Sequence, residues 1–286
     1  MELKPTKILI LANPSPPHRN PLSKMFDYYT DSETFKEANG YTIEDVWYPR
    51  VTKIVSIKAK PALLRFYGEA LNFKAAQNVT AASAKEGTLV HEAVEAILLG
   101  QHPDVDPAVR PAVESFKKFL EANSIQVLPE LVEKRVINFD HRYAGTVDAL
   151  ALINGKFGVL DIKTSQAIYR DYNLQTAAYM DALKHDHTLQ TRWILKIDQV
   201  QTCRRCGATR RVKGGREKIR LNNHRGNPST SSISVCSMDG HDWSELRGDV
   251  EIKEFPYWQK DFEAFLAAKR LWEWENEYWL QKAGYL

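Results

Sequence analysis

Two hydrophobic rhythms alternate along most of the chain. In EGTLVHEAVEAILLG (86–100), Leu89, Val90, Ala93, Val94, Ile97 and Leu98 recur at helical spacing, with Gly100 as a stop. DPAVRPAVESFKKFLEAN (106–123) repeats that rhythm, and Pro107 and Pro111 suit a helix start. The pattern then changes to short β-branched and aliphatic runs: PELVEKRVINF (129–139), AGTVDALALI (144–153) and KFGVLDIKT (156–164). DYNLQTAAYMDALKH (171–185) predicts a helix and TLQTRWILKIDQV (188–200) a fourth strand of this series. DVEIKEF (249–255) is strand-like, and YWQKDFEAFLAAKRLWEWENEYWLQKA (257–283) predicts one long helix. Upstream, KILILAN (7–13) predicts a strand, followed by a polar, proline-containing extension and then a strand or turn leading into a helix from about Pro61. Helix, three strands, helix, strand is an α/β plan, with helices packed on a mixed central sheet.

The 286 residues suffice for one large or two small domains, and 43% apolar with 26% charged residues is a soluble, globular composition. The net charge of +3 selects no partner by itself. KILILAN is too short to span a membrane and runs directly into Pro14, Pro16 and Pro17, so no membrane partner is expected and a cytoplasmic location is. An odd number of cysteines crowded into one segment is no disulfide framework.

That segment, 199–247, has few apolar residues and is long for a loop inside a compact domain. It carries Cys203 and Cys206 in CRRC, then Cys236, with His224 and His241 competing as a fourth ligand. Cys-x2-Cys spacing chelates one ion from a tight turn, a further pair completes a tetrahedral zinc site, and such a site folds a segment that lacks a core of its own. His241, shortly beyond Cys236, is preferred; three free thiols in a loop is the bland alternative. From Cys203 to Gly226 this segment is basic: Arg204, Arg205, Arg210, Arg211, Lys213, Arg216, Lys218, Arg220 and Arg225 stand against Glu217 alone. This density suits phosphate contacts, or else a loop kept soluble by its charge.

In GTVDALALINGKFGVLDIKTS (145–165), Asn154-Gly155 predicts a tight hairpin turn. Asp148 interrupts the first strand, and Asp161 and Lys163 the second. Carboxylates among apolar neighbours need pairing or a metal. Asp161 and Lys163 share a face because side chains alternate with period two. Paired carboxylate oxygens suit Mg2+ or Mn2+, and a lysine beside them can position water or steady charge on a phosphate. On the flanking helices, His91 and Glu95 share a face, as do Gln175 and Tyr179.

Singly these are weak signals; in this order they are specific. GTLVHEAVE (87–95), GTVD (145–148), DIKT (161–164) and QTAAY (175–179) together resemble the RecB-like branch of the PD-(D/E)XK nuclease superfamily over about residues 50–198. The resemblance implies a restriction-endonuclease-like core. It makes His91, Asp148, Asp161 and the Ile162 carbonyl the Mg2+ or Mn2+ ligands, and Lys163 the catalytic lysine. It also makes Gln175 and Tyr179 a motif that contacts DNA near the cleaved phosphate. Glu95 stays open between orienting the site, holding a second metal and a plain helix-surface role; Glu133 is a further candidate. Some members of the branch hold an iron–sulfur cluster with four cysteines, whereas three cysteines in one insert favour zinc. No Walker A pattern is present.

The implied plan is an N-terminal extension (1–50), a nuclease core (51–198), a basic zinc-ribbon-like insert (199–247) and a last strand and helix (248–286) completing the core. The implied protein is a phage- or bacterial-type hydrolase, an exonuclease processing single- or double-stranded DNA ends in recombination, repair or replication. A helicase or a recombination or replication protein is a possible partner. An endonuclease of the same fold, a catalytically inactive nucleic-acid-binding zinc protein and a non-nuclease metalloenzyme serving a small phosphorylated substrate are the alternatives. The aromatic residues Trp272, Trp274, Tyr278 and Trp279 are expected to pack the last helix rather than stack bases.

Overall fold

A computed structural model describes residues 29–221, 236 and 240–286. The strand expected at 7–13, His224 and Arg225 lie outside the described residues.

The central sheet is mixed. β3 (Ile125–Asn138), β4 (Tyr143–Ile153) and β5 (Lys156–Lys163) form an antiparallel meander. β6 (Thr191–Thr202) joins β5 in parallel after a helical crossover, α6 (Tyr172–Ala182). β9 (Arg247–Glu254) closes antiparallel on β6. The β4–β5 turn is the one the sequence predicts: Asn154 and Gly155 both take positive φ, 51° and 79°. Helices cover both faces. Val159 and Leu150 face α6, α7 (Gln259–Glu275) and α8 (Glu277–Lys282), whereas Leu160, Ile162 and Ala149 face α4 (Phe73–Leu98) and α5 (Arg110–Ala122). No helix among the described residues is long and apolar enough to cross a membrane.

Three elements differ from the sequence expectation. α4 starts at Phe73 rather than near Glu86. Its first half buries only Ala76, so it carries no apolar stripe; alanine-rich propensity and the Asn72 cap, which accepts from Ala75 N at 2.8 Å, set it. The extension before residue 50 is not irregular after residue 29. It forms α1 (Ser32–Asn39), β1 (Gly40–Ile43) and β2 (Val46–Pro49), anchored by buried Phe35 and Trp47, then short helices α2 (Val51–Val55) and α3 (Pro61–Glu69). The long C-terminal helix breaks at Asn276, whose side chain donates to Trp272 O at 2.8 Å. The break lets Trp279 stack on Phe35 at 5.9 Å. Trp272 is buried as expected, while Trp274 and Tyr278 are exposed.

One buried charge ties the sheet to its helices. Arg192 on β6 is fully buried and donates to Asn173 O (2.6 Å), Thr176 Oγ1 (3.1 Å), Phe255 O (3.1 Å), Tyr257 O (3.2 Å) and the Asp261 carboxylate. Arg192→Leu strands that carboxylate and three carbonyls together, so a loss of ~3–5 kcal/mol is expected. Urea unfolding measures it; a variant within the error of wild type would show that these groups find other partners.

Candidate active site

The site lies where β4 and β5 part. Their ladder ends at the pair Ala149↔Leu160. One residue beyond, Asp148 replaces a strand carbonyl: its Oδ2 accepts the Ile162 N–H at 2.5 Å. Asp161 is fully buried, and the Lys163 ammonium lies 2.9 Å from its Oδ1 and 2.7 Å from its Oδ2. The second contact is ionic only, because Oδ2 has no hydrogen-bond partner. His91 approaches from α4, where its ring meets the Ile162 backbone and the Asp161 and Lys163 charges. Its signature begins with Gly87, one turn earlier, where a Cβ would stand 2.8 Å from Thr164 Oγ1; glycine lets the strand end approach the helix. From α6, buried Tyr179 accepts from Gln175 Nε2 at 2.9 Å.

Electrostatics marks these residues as one cluster. Burial pushes the Asp161 carboxyl up to about 6, with Lys163 opposing and Asp148 adding to the rise. Burial likewise raises Asp148, against Lys163 and the Ile162 amide, and Glu95 adds to it. Burial disfavours the Lys163 ammonium, yet Asp161 and Asp148 outweigh it and raise its pKa, so it stays charged at neutral pH. Desolvation and Lys163 lower His91, leaving a neutral imidazole with a lone pair for a metal.

Thus Asp148, Asp161, Lys163, His91, Glu95, Gln175 and Tyr179 come together from four elements. Glu133 joins them: at φ 48° on β3, its carboxyl is raised to about 7 by burial, Asp148 and Glu95. Tyr172 is the residue the sequence reading missed. Its ring centre lies 5.4 Å from the Lys163 ammonium, and with Lys163 and Gln175 it lines a cavity of about 570 Å3. Its signal was its place three before Gln175 and seven before Tyr179, on one helix face.

Cys203, Cys206, Cys236 and His241 form a second centre, their ligand atoms within 4.8 Å of one another. Among the described residues this is the one such group, and it could hold a metal ion such as zinc. Cys203 Sγ lies 3.7 Å from Cys236 Sγ, close to the ~3.8 Å edge of a tetrahedron with 2.3 Å zinc–sulfur bonds. Cys206 Sγ lies 3.3 Å from His241 Nδ1. Among the described residues the carboxylates and His91 are not gathered as tightly; Lys163 sits on Asp161 and the Ile162 amide on Asp148.

The segment's basic residues are held in different places. Arg204 pairs with Asp242 (3.0 Å), Arg205 donates to Gly240 O (3.4 Å), Arg210 donates to Gln201 (2.8 Å), and Arg216 lies 4.3 Å from the Phe66 ring centre. Of the segment's basic residues that the structure describes, only Arg211 and Lys213 line the cavity beside His91.

Compared with known proteins, the chain matches no family model and no curated sequence.

The raised carboxyls predict a pH dependence. Asp161 and Glu133 keep their protons to higher pH in the folded chain than in the unfolded one. The stability this gives is complete below the ordinary carboxylate range and is lost as pH climbs through about 6 and 7. These two carboxyls are therefore expected to draw the melting temperature of metal-free protein down between about pH 4 and about pH 7, against the opposite pull of the lowered His91, and Glu133→Gln to flatten that fall. Mn2+ should raise the melting temperature more at the alkaline end, where the ligands are charged. Equal Mn2+ effects at both ends of a calorimetric series would count against a carboxylate metal site.

Proposed function

We propose that this chain is a Mg2+- or Mn2+-dependent deoxyribonuclease of the PD-(D/E)XK superfamily. It has a restriction-endonuclease-like core of the RecB-like, phage-exonuclease kind and a zinc-ribbon-like insert. One observation carries the reading: the residues of four separate sequence signatures meet around Asp161 at a single strand end. The donor set fits a hard divalent ion, with one buried carboxylate oxygen lacking a hydrogen-bond partner, a second carboxylate and a neutral imidazole. His91, Asp148, Asp161 and the Ile162 carbonyl would hold that ion, which when bound supplies an acidified water and charge neutralisation at the phosphate.

The protein's own groups do the rest. Lys163, its ammonium paired with Asp161, steadies negative charge developing on the cleaved phosphate or orients the water. Gln175, held by its hydrogen bond to buried Tyr179, positions the strand near that phosphate, so Tyr179 acts through Gln175 rather than by touching DNA. DNA over RNA, and exonuclease over endonuclease, follow the resemblance, as does a role at DNA ends alongside a helicase or recombination or replication protein. Purified protein with end-labelled linear and circular DNA, single- and double-stranded, tests this in Mg2+, Mn2+ or EDTA. Metal-dependent loss of linear DNA that spares circles is expected. Cut circles would make it an endonuclease, and binding with no cleavage under any condition would leave a nucleic-acid-binding zinc protein.

A further inference from the structure

The basic insert does not hang free of the nuclease core. Its hairpin, β7 (Thr209–Lys213) and β8 (Arg216–Arg220), turns at Gly214 and Gly215, with φ of 58° and 77°. The tip is pressed onto α4: a Cβ on Gly214 would lie 2.3 Å from both Ser83 Oγ and Val79 O, so only glycine fits. The Gly214 N–H donates to Glu86 Oε1 at 2.8 Å, and the Lys213 ammonium donates to Thr164 O at 2.6 Å, directly after Lys163. At the other end, the Cys203 N–H donates to Ala208 O at 2.7 Å, which fastens the root of β7 to the cysteine cluster. β7 is therefore strung between the cluster and the candidate active site.

Arg211 and Lys213 share a face of β7 by period two. With His91, Thr88 and Ser165 they line a cavity of about 610 Å3 whose lining contains no Asp or Glu. Arg211 is held by Asp198 through Nε, and Lys213 uses one of its three donors on Thr164; each keeps further donors. We infer that this cavity seats a phosphodiester neighbouring the one that is cleaved, clamped by Arg211 and Lys213, and that the metal-stapled insert serves to hold those two cations beside His91. The ligand class rests on the nuclease reading; the anion site rests on the lining.

The test reads binding without cleavage: fluorescence anisotropy of a labelled single-stranded oligonucleotide in Ca2+, over a salt series, with zinc-loaded full-length protein. Arg211→Ala is expected to weaken binding roughly tenfold and to reduce the salt slope by about one, whereas Arg270→Ala on α7, exposed across the sheet from α4, does neither. Because Arg211→Ala also strands Asp198, Lys213→Gln is the second variant, expected to act in the same direction. An oligonucleotide with one uncharged methylphosphonate linkage, moved along the strand, should bind wild type weakly at one position to which Arg211→Ala is indifferent. Wild-type affinity and slope in both variants, or the same positional penalty in wild type and Arg211→Ala, would overturn the subsite. Absent cleavage with Arg211-dependent binding would remove the nuclease reading alone; cleavage with Arg211-independent binding would remove the subsite alone.

Discussion

Lys163→Ala is expected to lower the cleavage rate by roughly 10²–10³-fold at saturating metal, the usual effect of removing one donor aimed at developing charge. Two effects of the change pull apart. The ammonium is the partner of a fully buried carboxylate, and removing one member of a buried pair costs ~3–5 kcal/mol. Metal-free Lys163→Ala should therefore melt well below wild type at neutral pH. A divalent ion can take over that neutralising role, because it brings positive charge to the same oxygens, so Mn2+ should stabilise the variant more than it stabilises wild type. The donor to the phosphate is not replaced. Saturating Mn2+ should thus restore the melting temperature and leave the rate low, with Lys163→Arg recovering part of it. Full activity of Lys163→Ala in Mn2+ would mean that the lysine only neutralises Asp161, and the catalytic assignment would fall.

The sequence revealed the parts of this site that follow from period and turn chemistry. Asn154-Gly155 fixed the hairpin, alternation put Asp161 and Lys163 on one face, and four-residue spacing paired His91 with Glu95 and Gln175 with Tyr179. Three kinds of feature were hidden. Residues without a catalytic signature of their own give little signal: Glu133, which enters the cluster at positive φ, was legible only as a weaker candidate, and Tyr172 went unread. Elements set by caps and propensity rather than burial are invisible to hydrophobic patterning, which is why the first half of α4 and the break at Asn276 went unread. Long-range docking was the third: the charge of the insert was plain, but only the fold shows that Arg211 and Lys213 reach the cavity beside His91 while Arg204 and Arg205 stay at the cysteine turn. The same separation explains the aromatic C-terminus, where the break turns Trp279 onto Phe35 and leaves Trp274 exposed.

Removing the zinc proposed for the cysteine cluster is expected to unfold the insert while the core stays folded. Among its described residues the insert has little apolar support: Cys203, Ala208 and Cys236 are its buried cluster, with Cys206 and Trp243 packed beside them and His241 stacked on Trp243 at 4.6 Å. Structural zinc binding supplies apparent free energies of ~10–16 kcal/mol in small zinc domains, far more than this cluster gains by burial. The sheet and its two helical layers have large cores elsewhere and do not need it. Cys203→Ser, or a zinc-selective chelator with Mg2+ in excess, should open residues 203–221 and 240–246 to protease while most far-UV dichroism and the main unfolding transition persist. Freed from its root, β7 would no longer hold Lys213 on Thr164 or Arg211 at the cavity, so oligonucleotide affinity should fall at least as far as in Arg211→Ala. Cleavage should fall with it, since Thr164 adjoins Lys163. A protease pattern and DNA affinity unchanged by metal loss would show that the hairpin is held by its α4 contacts alone, and the metal would then have no part in shaping the site.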